Sequence, residues 1–290
     1  MYKAIADNKR NTVIMMALFI GIISAIGWVV GYLYSDTNIV YFFIIGGFLY
    51  ALLQYYFASS IAVTMSGARQ IEKKDNPRLY RTVENLSITN GMQMPKVYII
   101  EDPSPNAFAT GRDPNHAIVA ATSGLLEIMD DNELEAVMAH EMGHVKNYDI
   151  RLSMIIFGLV SAIGLIADIA LRSLFYNDDS DSKSPLAMMI GIVVLVLTPI
   201  VAAIIQMAVS RQREYLADAT SAMTTRNPDA MVGALKKLKQ FGRPMKRQNT
   251  ASAHLFISNP LKPGFLNKLF STHPPLEDRI NRLNQNKVKF

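Results

Sequence analysis

Two histidines and a glutamate lie close together in the segment His140-Glu141-Met142-Gly143-His144. Residues four apart on an α-helix project from the same face, so both imidazoles can bind a single metal ion. Zinc accepts imidazole nitrogens at about 2.0–2.1 Å, and in hydrolytic sites it activates a water molecule. Glu141 projects from the adjoining side of the helix, where it can accept a proton from that water. The spacing therefore predicts zinc-dependent hydrolysis, with His140 and His144 as metal ligands and Glu141 as the general base.

A zinc ion in a hydrolytic site needs a third protein ligand. Thiolates are excluded because the chain has no cysteine. Glu214 and Asp218 share one face of a predicted helix, so Glu214 is the preferred third ligand and Asp218 a carboxylate that orients a liganding imidazole. The alternative for these two acids is pairing with Arg211 or Arg213 on a solvated helix. Three histidines remain as alternative ligands: His116, His254 and His273.

The helix that carries the two histidines has a clear predicted start. Asp130 is typical of an N-cap residue, and Glu133 three positions later completes a capping box. An apolar face follows, formed by Leu134, Val137 and Met138. The motif is therefore predicted to lie on a helix that packs against a core.

A small β-sheet is predicted before this helix. The strands are Lys96–Ile100, a segment at 116–120 and a third at 106–111, bounded by Pro, Asp and Gly. The remaining pattern is helical. The sequence thus predicts a mainly α fold with a small β-sheet, an α+β arrangement.

Long apolar runs divide the chain. At 1.5 Å per residue each can cross a hydrocarbon core of about 30 Å. The first is interpreted as an uncleaved anchor, because its apolar part is too long for a signal peptide. The third contains Asp168 and Arg172, which can pair one turn apart, so a helical hairpin beside the membrane is its alternative. The runs are 13–34, 39–63, 152–175 and 186–209.

Charge sets the predicted orientation. Lys and Arg flank the four runs on one side, and the short connecting loops carry mainly Asp, which places both large polar segments in the cytosol. The net charge of +5 is modest and gives no indication of nucleic acid. The predicted parts are a transmembrane hairpin (1–63), a first catalytic part with the sheet and the His140 helix (64–151), a second transmembrane or membrane-associated hairpin (152–209) and a second catalytic part with the third ligand (210–290).

The combined motifs resemble those of a known enzyme family. His140-Glu141-x-x-His144, Glu214-x-x-x-Asp218, the stretch Asn106-Ala107-Phe108, the stretch Thr272-His273-Pro274-Pro275 and four apolar runs are similar to the membrane zinc endopeptidases related to the CAAX prenyl protease type 1 enzymes, among the gluzincins. The resemblance covers nearly the whole chain.

The resemblance implies a zincin-like protease with one Zn²⁺ per chain in the bacterial plasma membrane, its active site facing the cytosol. The implied substrates are damaged or misfolded membrane proteins and some soluble ones. It also implies that Asn106 and His273 lie near the bound substrate or its developing oxyanion. The strand at 106–110 would receive an extended substrate by edge addition.

Two other functions remain open at this point. A processing protease of narrow specificity would share every catalytic residue. A non-catalytic zinc-binding scaffold in the membrane would have no need of Glu141.

Overall fold

The computed structural model describes residues 2–176, 211–262 and 274–287. These parts are mainly helical with one small sheet, which confirms the predicted combination. The helices are α1 (Tyr2–Tyr34), α2 (Thr37–Ser66), α3 (Pro77–Asn90), α4 (Ser123–Ile128), α5 (Asp131–Lys146), α6 (Asp149–Tyr176), α7 (Arg211–Thr225), α8 (Pro228–Phe241) and α9 (Leu276–Asn286). The strands are β1 (Ala68–Gln70), β2 (Lys96–Ile100), β3 (Ala107–Gly111) and β4 (Ala117–Thr122).

Helices α1 and α2 pack against each other along their length. Small residues allow this approach, because Gly27 lies against Phe43 and Gly47 against Ile23. Among the described residues, two segments are long and apolar enough to cross a membrane by length and composition, Ile5–Trp28 and Thr37–Ser66. The first two predicted runs are therefore found as helices.

The third and fourth runs have a different outcome. Helix α6 contains the third run, whereas the fourth run and the side chains of Asp168 and Arg172 lie outside the described residues. The second membrane hairpin therefore stays a prediction.

The sheet is mixed, with strand order β1-β2-β4-β3. Strands β2 and β4 are parallel, and the two outer pairs are antiparallel. The strand predicted at 116–120 begins one residue later, because Asp113 accepts hydrogen bonds from the backbone of Asn115 and His116 and holds a 3₁₀ turn there. Strand β1 has three residues, too few for an alternating pattern to predict.

Strand β3 lies at one edge of the sheet, beside α5 and α6. Part of its outer edge is already paired, since the Ala107 carbonyl accepts a hydrogen bond from the Ile257 N–H at 2.9 Å. The rings of Phe108 and Phe256 pack edge to face, with centroids 5.0 Å apart. The chain after α8 thus returns to cover one end of this edge.

Helix α5 runs through the main hydrophobic core. Leu134, Val137 and Met138 are all fully buried, as their spacing predicts. The predicted capping box is present: Asp130 Oδ1 accepts from the Glu133 N–H at 2.9 Å, and Glu133 Oε2 accepts from the Asp130 N–H at 2.9 Å. Two reciprocal hydrogen bonds between side chain and backbone therefore fix the start of α5.

This capping box generates a stability prediction. Asp130→Ala should destabilise the protein by about 1 kcal/mol, because the Glu133 N–H loses its acceptor. For a chain of this size we expect the unfolding temperature in detergent to fall by about 2–4 °C. Asp131→Ala is the matched control, since that side chain is 89% exposed and its ion pair with Arg78 contributes little. Equal shifts in the two variants would contradict the capping role.

Candidate metal centre

Helices α5 and α7 bring three potential ligands together. The Nε2 atoms of His140 and His144 lie 3.2 Å apart. The Glu214 carboxylate has one oxygen 3.7 Å from Nε2 of His140 and the other 3.5 Å from Nε2 of His144. Ligands bound tetrahedrally at 2.0–2.1 Å are separated by about 3.3–3.4 Å. Among the residues that the structure describes, these three form a group that could hold a metal ion, and their spacing fits zinc.

Close packing of α5 on α7 produces this geometry. Gly143 has no side chain, and a Cβ atom at this position would lie within 3.5 Å of Ala217 and Thr220. Two turns earlier on α5, the Ala136 carbonyl accepts a hydrogen bond from the Ser221 hydroxyl at 2.6 Å. The two helices therefore lie in register, with Glu214 opposite both imidazoles.

Each imidazole is oriented by a carboxylate on its other nitrogen. Nδ1 of His140 lies 3.0 Å from Asp218 Oδ1, and Nδ1 of His144 lies 2.9 Å from Asp149 Oδ2. A hydrogen on each Nδ1 donates to the acid, which leaves the Nε2 lone pairs directed at the site. The Asp218 contact is the one its spacing from Glu214 predicts. Sequence reasoning missed Asp149, whose only signal is an acid at the first position of α6.

Arg279 of α9 is a second residue that sequence reasoning missed. Its guanidinium is fully buried and binds Asp218 through two hydrogen bonds, of 2.6 and 2.9 Å. It also lies 3.5 Å from Glu214 Oε2. The available signal is positional, because Arg279 falls on the same helical stripe as Leu276 and Leu283. A charged residue on an apolar stripe indicates a buried partner.

Burial shifts the proton affinities of the central groups. It raises the pKa of Glu141 to about 7, the range suited to a general base near neutral pH. Burial, together with the Arg279 charge, lowers the pKa of His140 to about 4, so this imidazole is neutral as a ligand must be. Although burial raises the pKa of Asp218, the Arg279 charge outweighs it and holds that pKa well below its usual range.

His144 shows the opposite shift. Burial opposes its charged form, but the carboxylates of Glu214 and Asp149 raise its pKa to about 9. The carboxylates around His144 thus favour a positive charge beside its ring, which a proton or a metal ion can supply. The donor set and its electrostatics both fit a divalent cation.

A cavity opens over these residues. Glu141 lines it with the three potential ligands, and its carboxylate also receives a hydrogen bond from the backbone of Ala109 in β3. The apolar part of the wall comes from Ala109, Ile150, Leu255 and Ile257. A chain in this cavity would therefore contact aliphatic side chains beside Glu141 and the potential ligands.

The alternative histidine ligands lie elsewhere or are engaged. His116 is about half exposed, and its Nδ1 lies 2.8 Å from Asp113. His254 lines the cavity, but its Nε2 donates to the Ser153 carbonyl at 3.0 Å. His273 lies outside the described residues. The geometry thus favours Glu214 as the third ligand over the two described histidines.

Asn106 is buried but is not among the cavity-lining residues. Its Nδ2 donates to the Ser258 carbonyl at 2.8 Å, and its Oδ1 accepts from the Ser258 N–H at 3.1 Å. The side chain therefore holds the segment after α8 against β3. The role predicted for Asn106 near an oxyanion stays a prediction, as does that of His273.

The chain is similar to several known proteins. The model of a family described as Peptidase family M48 matches residues 73–287. A protein named Protease HtpX homolog from Tropheryma whipplei is 56% identical over 286 residues, covering 98% of each chain. Another of that name from Streptococcus gordonii is 43% identical over 295 residues, covering 98% of this chain and 99% of the relative.

A solved structure shares the fold. The crystal structure of S. mikatae Ste24p superposes with a TM-score of 0.54 at 20% sequence identity, covering 98% of this chain and 67% of the other. At this identity the similarity concerns the fold alone.

The buried Arg279–Asp218 pair generates a prediction. Arg279→Met keeps most of the side-chain volume but leaves the Asp218 and Glu214 carboxylates without their guanidinium. We expect the free energy of unfolding to fall by about 3–5 kcal/mol, measured by chemical denaturation in detergent. Adding Asp218→Asn to this variant should restore part of the loss, because the uncompensated charge is removed. Purely additive losses would show that the two residues do not stabilise each other.

Proposed function

The chain belongs to peptidase family M48, and on that premise we propose that it is a membrane-bound zinc metalloendopeptidase that hydrolyses peptide bonds. His140, His144 and Glu214 hold one zinc ion, and Glu141 is the general base. The observation that carries this proposal is the convergence of two imidazole nitrogens and one carboxylate beside a buried glutamate: the nitrogens lie 3.2 Å apart, and each lies 3.5 or 3.7 Å from an oxygen of Glu214.

The protein residues have distinct roles in the proposed hydrolysis. When bound, zinc supplies a Lewis acid that lowers the pKa of water and polarises a peptide carbonyl. Asp218 and Asp149 each accept a hydrogen bond from Nδ1 of one imidazole and so keep both Nε2 atoms directed at the site. Glu141, with its pKa raised to about 7, accepts a proton from the attacking water and passes it to the leaving amine.

The membrane location rests on the outer faces of α1 and α2. Large apolar side chains are exposed along both helices, among them Val13, Trp28, Phe42 and Phe57. Exposed apolar surface of this extent fits lipid better than water. The basic flanks favour a cytosolic position for the catalytic residues in a bacterium, and 152–209 would form a second hairpin in or beside the plasma membrane.

The proposed substrates are misfolded or damaged membrane proteins and some soluble ones. The first turns of α1 contact the loop before α6, where Asn8 donates to the Asn147 carbonyl at 2.9 Å. The cavity therefore opens close to the end of the membrane hairpin, within reach of chains at the bilayer surface. An extended substrate adding to β3 would pair beyond Phe108, since the edge at Ala107 is already bound to Ile257.

The first test concerns the general base. Glu141→Gln should retain stoichiometric zinc, but its turnover of unfolded proteins in detergent should fall at least about 10²–10⁴-fold, the usual contribution of acid–base catalysis. Glu127→Gln, at an exposed position on α4, is the control and should retain activity. Activity retained by Glu141→Gln would remove this residue from its assigned role.

The same assay separates general proteolysis from a narrower task. Cleavage of several unrelated unfolded proteins would support a role in protein quality control. A single defined cut in one protein would instead favour a processing protease.

The second test concerns the third ligand. Glu214→Ala should lower the zinc content of the purified protein well below one per chain. Loss of a ligand should weaken binding by more than the 10–100-fold that loss of an orienting partner costs. Metal analysis after dialysis provides the measurement. If zinc remained stoichiometric, the third ligand would have to be another residue, with His273 next to be tested.

A further inference from the structure

One buried amide connects the N-terminal helix α1 to the potential metal ligands. Asn8 is 4% exposed although it lies close to the chain terminus. Its Nδ2 lies 2.6 Å from Asp149 Oδ1 and 2.9 Å from the Asn147 carbonyl. One hydrogen of the amide is therefore donated to the loop that joins α5 and α6, and the other to the first residue of α6.

Asp149 links Asn8 to His144. Its Oδ1 accepts from Asn8, and its Oδ2 lies 2.9 Å from Nδ1 of His144. The carboxylate is 4% exposed, so water competes little for either oxygen. Hydrogen bonds to a carboxylate are short and strong, and two on opposite oxygens fix its rotation. The orientation of the His144 ring therefore depends on a residue of α1.

Further contacts hold the start of α1 against the loop between α5 and α6. The Thr12 hydroxyl donates to the Asn8 carbonyl at 2.8 Å. The Lys9 ammonium lies 4.5 Å from the centre of the Tyr148 ring, and the Arg151 guanidinium lies 4.9 Å from the same ring. Tyr148 has a φ of 61°, a left-handed conformation that a tyrosine rarely adopts without support. The loop is thus clamped between α1 and α6.

We propose that Asn8 is a positioning residue for the metal centre. Its amide holds Asp149 in the orientation that directs Nε2 of His144 toward the metal, so α1 helps to build the active site as well as anchoring the chain. This inference rests on the metal site proposed above. It assigns a role to a residue more than a hundred positions from the histidines in sequence.

The test measures zinc affinity, which can be determined without any protease assay. Asn8→Leu preserves approximate volume and removes both donors. In the full-length protein in detergent, competition with a chromogenic chelator should show zinc binding about 10-fold weaker than in the unsubstituted chain. The visible absorption spectrum of the Co²⁺-loaded protein should also change, because the position of one imidazole changes. Asn11→Leu is the matched control, because it makes the same substitution three positions along the same helix at a partly exposed site, and it should leave both readouts unaltered.

A double-mutant cycle shows whether the effect passes through Asp149. In an Asp149→Asn background, Asn8→Leu should weaken zinc binding less than 2-fold further. The same 10-fold loss in that background, or an affinity of Asn8→Leu within 2-fold of the original, would overturn the proposal. Asn8→Ala supplies the same comparison if leucine prevents folding. A protein that binds zinc as predicted but cleaves no polypeptide would refute the proposed function and leave the role of Asn8 standing.

Discussion

The candidate metal centre depends on positive groups that balance the charge of several buried carboxylates. Glu141, Asp149, Glu214 and Asp218 are each at most 4% exposed. Two arginines face them: Arg279 binds Asp218, and the Arg213 charge interacts with Asp149 and Glu214. Four carboxylates against two guanidiniums leave an excess of two negative charges, which burial makes costly. The raised pKa of His144 is one response to that excess, whereas the pKa of Glu141 is raised mainly by burial. A divalent cation between the imidazoles and Glu214 would supply positive charge at the same place.

That balance explains why so many separate segments meet at the site. The potential ligands come from α5 and α7, and the groups that orient or neutralise them come from α1, α6, α7 and α9. The acids have partners on several elements: Arg279 of α9 binds Asp218, Asn8 of α1 binds Asp149, and the Ala109 backbone of β3 binds Glu141. The core around α5 therefore positions the two histidines as well as stabilising the fold. A rigid, well-packed helix keeps the Nε2 separation of His140 and His144 within the narrow range that zinc accepts.

The sequence predicts what depends on local spacing. The capping box of α5, the shared face of His140 and His144, and the first two apolar runs all follow from residues within a few turns of one another. Glu214 is predictable because a two-histidine motif requires a third ligand. Arg279 and Asn8 are not predictable in this way, since their partners lie 61 and 141 positions away and the contacts exist only after the helices pack. Strand β1 is too short to carry a periodic pattern.

The walls of the cavity bear on which kind of proteolysis it suits. Ala109, Ile150, Leu255 and Ile257 line it beside the charged groups, and aliphatic side chains distinguish poorly between substrates of similar size. Strong selection of one sequence requires polar groups that remain unpaired when the wrong side chain binds. Main-chain pairing with β3 would add affinity that is also independent of side-chain identity. Among the described residues, the composition of these walls therefore favours cleavage of many unfolded chains over the processing of one.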